Sequence, residues 1–172
     1  MIFDPRFSIT HAMANNLTKV VTTKGFLDAA VLSENWIREM QDRALILEAH
    51  HTTHIEGTQL TLAQSEQLLK GKTIANANPD DARELVNYRD AFNLVANYLD
   101  SNLPITQGLI REIHKRLVKG VRGNSAAPGE YRKTQNYVVN SKTGETIYTP
   151  PPAYEIQSMM QELVEYINKT VE

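Results

Sequence analysis

The feature that most constrains this chain is the spacing of its large apolar side chains, which step by three and four along most of its length. Ile37, Met40, Ala44 and Leu47 do so in one segment, and Leu85, Tyr88, Phe92, Val95 and Leu99 in another. Side chains at that spacing share one face of an α-helix. Leu109, Ile113 and Leu117 mark a further helix, and Ile156, Met160, Leu163 and Ile167 a last one. A short helix begins after Thr61, because Thr61 and Gln64 stand at capping-box spacing before Leu68 and Leu69. Gly71 is its stop. The stretch Asn76–Asp81, NANPDD, supplies a capping loop for the helix that follows. The spacing therefore predicts an all-α, bundle-like domain of about five or six helices. Residues 1–25 carry little pattern and read as a loose N-terminal arm, and residues 26–172 as one helical region without an internal linker.

One stretch breaks the helical spacing. Arg132–Pro152 reads RKTQNYVVNSKTGETIYTPPP. Two short β-rich runs, Tyr137-Val138-Val139 and Thr146-Ile147-Tyr148, flank the polar loop NSKTGE, which is a hairpin signal. The three prolines after Thr149 have no N–H to donate, so the second strand ends there. A hairpin in an otherwise helical domain has no sheet to join. It is expected to lie over something or to receive something.

Composition removes several function classes. A chain of 172 residues can bury a core without covalent staples. It has no cysteine, which excludes disulfides, thiolate nucleophiles and thiolate zinc sites and fits a reducing compartment. Net charge is −2 and no basic helix face stands out, so nucleic acid is not an expected partner. No apolar run approaches the ~18 residues of a membrane span. The N-terminus, MIFDPRFSITHAMANN, has no basic region followed by an apolar stretch, so no signal peptide is read and the cytoplasm is expected.

The stretch HHTTHIEG, from His50 to Gly57, is the densest in candidate chemistry. His50 and His54 are four apart and share a helix face, as the zinc ligands of H-E-x-x-H do. His51 occupies the position of the required glutamate, and His114 is the only later histidine, so no metal site is expected. Continued past Leu47, the apolar register reaches His51 and His54. It places these two on or near the buried face and His50 toward solvent. Gly57 reads as a helix stop. Glu56 in the last turn opposes the helix dipole, at a cost of ~0.3–1 kcal/mol. A carboxylate so placed is expected to have a partner elsewhere, such as an arginine.

Several pieces together resemble one known family. Thr52-x-x-x-Glu56-Gly57 resembles the inhibitory-helix motif of Fic (Fic/DOC) proteins, (S/T)-x-x-x-E-(G/N), and IEGTQLTL resembles its usual continuation. REIHKRLVKGVRG, at Arg111–Gly123, resembles the helix before the family's central loop. PGEYRKTQNYV, at Pro128–Val138, resembles the run into its flap hairpin. IYTPPPAYEIQSMMQELVEYIN, at Ile147–Asn168, resembles the segment from the flap into the helix before the active site. These pieces follow the family's order. The resemblance implies transfer of AMP from ATP, with Mg2+ on the phosphates, to a serine, threonine or tyrosine hydroxyl of a target protein. A few relatives move other phosphate-containing groups. It also implies that Thr52, Glu56 and Gly57 form an inhibitory element at the ATP site. There Glu56 would occupy the space of the γ-phosphate and pair with an arginine of the catalytic motif. The flap would be Asn136–Pro150, with Ile147, Tyr148, Thr149 and Pro150 docking an extended target segment by strand addition.

The chain departs from that family in one respect. The motif H-x-F-x-(D/E)-G-N-G-R-x-x-R, which holds the family's general base and phosphate cradle, does not occur in it. The only Gly-Asn pair is Gly123-Asn124, with no histidine five residues before it. The family places this motif after the helix read at Tyr154–Lys169. No catalytic residue and no metal ligand are therefore assigned. The chain alone is expected to be inactive: the N-terminal regulatory part of a longer Fic enzyme, or a natural short protein that keeps the regulatory half. The alternative is a non-enzymatic, antitoxin-like inhibitor that inserts Glu56 into a separate Fic protein in trans. A helical interaction module unrelated to nucleotides is a third reading. The last helix would normally pack on the catalytic helices, so self-association, or association with the missing half, is expected.

Overall fold

The structure, a computed structural model, describes residues 3, 5–121 and 127–170; the Gly123-Asn124 pair lies outside the described residues. Among these it is helical with one hairpin, as the apolar spacing predicts. The order is α1 (His11–Ala29), α2 (Glu34–Ile55), α3 (Leu62–Leu69), α4 (Pro79–Asp100), α5 (Gln107–Leu117), β1 (Val138–Val139), β2 (Thr146–Tyr148), a single 3-10 turn (Ala153–Glu155) and α6 (Ile156–Thr170). The chain divides into two compact units. One is Asp4–Ala44; the other is Leu45–Glu172 together with Met1–Phe3.

Where the sequence reads as a loose arm over residues 1–25, the structure has helix α1 from His11 onward. Its start is local chemistry. The Thr10 hydroxyl accepts the Met13 amide at 3.2 Å, filling one of the orphan donors of the first turn. No residue of α1 is buried. Met13, Leu17, Val20, Val21 and Phe26 are all exposed, so no apolar face stands against a polar one. Periodicity has nothing to detect in such a helix.

The second unit has a core of Ala49, Leu60 and Leu85, against which Leu68, Leu69, Ala77 and Tyr88 pack. Its helices begin where the caps fall. The Thr61 hydroxyl accepts the Gln64 amide at 3.3 Å, and the Gln64 side chain accepts the Thr61 amide at 2.9 Å, completing the predicted capping box of α3. That helix stops at the predicted glycine: Gly71 N–H bonds to Leu68 O and Lys72 N–H to Gln67 O, both at 2.9 Å. Asn78 caps α4 by accepting the Asp80 amide at 2.8 Å, and Pro79 sits at the first helical position, where its missing N–H costs nothing.

Side-chain amides then fasten the elements to one another. Asn87 on α4 donates to the carbonyls of Leu117 and Lys119 at 3.1 and 2.9 Å, closing the open end of α5. Asn168 on α6 exchanges two bonds with the backbone of Ile105, at 3.0 and 2.8 Å. Gln107 on α5 donates to Gln161 on α6 at 2.8 Å.

The hairpin forms where the β-rich runs predict it. Val138 opposes Tyr148 and Val139 opposes Thr146, which leaves Ile147 as an extra residue, a bulge. Both strands are exposed, and two strands alone are marginal in water. The prolines end β2, and their carbonyls, which remain acceptors, are used. Gln135 Nε2 donates to Pro150 O at 2.9 Å, and Arg132 Nη2 donates to Pro151 O. Side chains on the incoming limb therefore close the hairpin base where the backbone ladder cannot.

Candidate functional site

The end of α2 is built from backbone. Gly57 N–H bonds to His54 O at 3.0 Å, and Thr58 N–H reaches Thr53 O at 3.1 Å. That pair of bonds is a Schellman cap. It needs a left-handed residue after the helix, which Gly57 supplies at φ 109°. Glu56 is the residue just before that glycine. Its side chain takes no part in the cap, is exposed, and pairs with no cation among the described residues. The expected arginine is thus not met within this segment.

The loop after Gly57 is held firmly. Thr58 is fully buried and donates to the Thr53 hydroxyl at 3.2 Å, while Thr53 donates to Ala49 O at 2.8 Å. Asp81, buried in the first turn of α4, accepts the Gln59 amide at 2.8 Å. A carboxylate there also complements the positive end of the α4 dipole. The position of Glu56 is therefore set by both neighbouring helices.

A cavity of about 510 Å3 opens beside this end of α2. Thr52 and Glu56 line it from α2, and Glu84 and Tyr88 line it from α4. Leu117, Val118 and Val121, at the end of α5, form its apolar side. Each of α2 and α4 offers a pair of residues four apart, hence on one face. Burial raises the Tyr88 pKa, partly countered by the hydrogen bond with Thr52. The phenol is thus protonated at neutral pH, and it donates to Glu48 at 3.3 Å. Glu84 and Tyr88 escape sequence reasoning as site residues because only the packing of α4 beside α2 puts them here.

The histidines correct the expected register. His50 faces inward and His51 and His54 are exposed, the reverse of the expectation. The buried stripe of α2 runs through Ala49 and Thr53, both small residues. Extrapolating from the large side chains follows the wrong face. Ser65 gives its hydroxyl proton to Thr61 O at 3.1 Å, so it accepts from His50 Nδ1 at 3.2 Å. His54 Nδ1 donates to Thr58 O at 2.9 Å. Burial, and then the nearby His51 and His54, lower the His50 pKa. Among the described residues no three His, Asp or Glu side chains are grouped to hold a metal ion.

The flap residues are not brought to this cavity. Ile147, Tyr148 and Thr149 are exposed and Pro150 half-buried, and none of the four lines it. Among the described residues no third strand pairs with this hairpin.

The Fic/DOC family profile matches residues 104–172, from the start of α5 through the flap and α6. Residues 104–172 are thus similar to Fic/DOC-family sequence. The Fic likeness reaches further along the chain in two other comparisons. Protein adenylyltransferase Fic of Drosophila grimshawi is 26% identical over 133 residues, covering 77% of this chain and 26% of that protein. The Drosophila willistoni protein of the same name is 24% identical over 153 residues, covering 88% of this chain and 29% of that protein. The chain thus spans little more than a quarter of these curated relatives. Among solved structures, a Fic family protein from Desulfovibrio desulfuricans G20 superposes with a TM-score of 0.78 at 21% identity, over 99% of this chain and 49% of that one. A Fic domain-containing signaling protein from Bacteroides thetaiotaomicron superposes at 0.74 with 22% identity, over 91% of this chain and 59% of that one. These superpositions establish that the fold is the Fic helical fold with its hairpin.

The cavity does not fit a triphosphate by itself. Two carboxylates and no cation line it. No helix of at least 18 residues in the described structure is apolar enough to cross a membrane.

Proposed function

We propose that this chain is the N-terminal regulatory part of a Fic-type protein adenylyltransferase, which transfers AMP from ATP to a hydroxyl side chain of a target protein and is held back by Glu56. The observation that carries this reading is the carboxylate of Glu56. It is unpaired within the described segment, set on a rigid backbone cap, and directed at the rim of an open cavity. A negative charge held there repels a phosphate and attracts a guanidinium. The names of the Drosophila relatives support the transfer chemistry. The residues that hold ATP and its Mg2+ and that take the proton from the target hydroxyl lie outside these 172 residues, because no such motif occurs within them. Thr52 lines the cavity beside Glu56, one helical turn before it on the same face of α2. The flap, Asn136–Pro150, docks the target.

The test is Glu56→Gly in the intact protein, read as transfer of label from the α-phosphate of ATP to protein. The expected gain is at least about 10-fold, equivalent to ~1.4 kcal/mol of barrier. The isolated 172-residue chain should label nothing above a protein-free control. An unchanged rate in the variant, or labelling by the isolated chain, defeats the proposal.

A further inference from the structure

A second cavity, of about 450 Å3, lies where the run into the flap meets the start of α6. Its charged lining is Arg111, Arg132 and Lys133 against one carboxylate, Glu130. The net charge of the whole chain is −2, so this local positive surplus runs against the average. Glu130 is already engaged: Arg111 Nη2 donates to it at 2.5 Å, while Arg111 Nε donates to Gly129 O at 2.5 Å. Arg132 bonds only to neutral carbonyls, those of Thr134 and Pro151. Those bonds fix its guanidinium in place without cancelling its charge. Lys133 is exposed and makes no ion pair among the described residues. Tyr131 lies 5.7 Å beneath the Arg111 guanidinium, and Tyr154, at 83% exposure, stands open on the other side.

One pre-positioned cation, one free cation and an aromatic wall suit a carboxylate carried on a polypeptide. The cavity is also tied to the flap. The Pro151 carbonyl held by Arg132 lies three residues past Tyr148 in β2, roughly 10 Å of extended chain. A strand laid along the flap edge reaches this cavity within a few residues.

We propose that this cavity receives acidic side chains of a protein segment laid along the flap, and so selects partners with glutamate or aspartate a few residues from the stretch that pairs with β2. The proposal rests on the flap being a docking strand and not on AMP transfer. Its test uses the 172-residue chain and a fluorescein-labelled peptide of alternating threonine, glutamate and valine, with a lysine-for-glutamate peptide as comparison. Anisotropy should show the glutamate peptide binding at least about 10-fold more tightly, with affinity falling as salt rises from about 50 to about 200 mM. Lys133→Glu should weaken it by about 10-fold or more and Lys133→Gln by less, while Lys72→Glu, exposed after α3 and away from both the flap and this cavity, leaves it unchanged. Equal binding of the two peptides, indifference to Lys133→Glu, or complete displacement by millimolar inorganic phosphate overturns the proposal. Loss of the adenylylation reading with peptide binding intact leaves it standing. Absent peptide binding removes it whatever the transfer assay gives.

Discussion

His50 shows how a single side chain carries a measurable consequence. Its pKa is lowered first by burial and then by His51 and His54, so the folded chain keeps the ring neutral where the unfolded chain accepts a proton. The unfolded state then binds more protons, and stability rises with pH across that interval. Its contribution is complete above the ordinary imidazole value near pH 6.5 and is lost as pH falls from there through the lowered folded value. The urea midpoint should therefore fall between about pH 7.5 and about pH 5.5, and His50→Gln should flatten that fall. The same residue marks what the sequence hides. Thr61 and Gln64 reveal their capping box because both partners lie within one turn. The inward turn of His50 depends on Ser65, 15 positions away, and on a stripe of small residues that large-side-chain spacing does not register. Glu84 is hidden for the same reason: its place beside Glu56 arises from two helices meeting.

At the scale of elements, the hairpin is the part whose stability is least self-supplied. Two short exposed strands and a bulge provide few contacts, and the proline carbonyls are satisfied from Arg132 and Gln135. Removing one such bond costs ~0.5–1.5 kcal/mol, a factor of roughly 2–10 in an opening equilibrium. Gln135→Ala should speed amide exchange at Asn140, whose N–H bonds to Glu145 O at 2.8 Å, by about that factor. Exchange in α4 should be unaffected, and an unchanged Asn140 rate would show that the base clamp does not hold the flap. The strands and the proline stop were legible in the residues, because β-rich runs and missing donors are local properties. The clamp was not, since its bonds span 15 and 19 positions. Helix α1 was missed for a different reason. A helix that buries nothing has no face for a pattern to report.

For the whole molecule, the question is what happens to apolar surface. Phe7, Ile9, Val20, Val21, Phe26 and Val31, all in the unit Asp4–Ala44, are each more than half exposed. Apolar patches beyond a few hundred Å2 tend to find partners. Sedimentation between about 1 and about 100 µM should show concentration-dependent association of the chain. A single unchanging monomer across that range would count against it. The architecture as a whole was legible because helix spacing is repeated over most of the chain, while the division after Ala44 leaves no trace in composition. Within that architecture, the cap that ends α2 is made by backbone groups and Gly57, so the side chain at position 56 is no part of what folds. A single altered codon there can change the charge at the cavity rim while the helix still ends in the same place. Selection can therefore vary the charge presented at this position in one step, without rebuilding the scaffold that presents it.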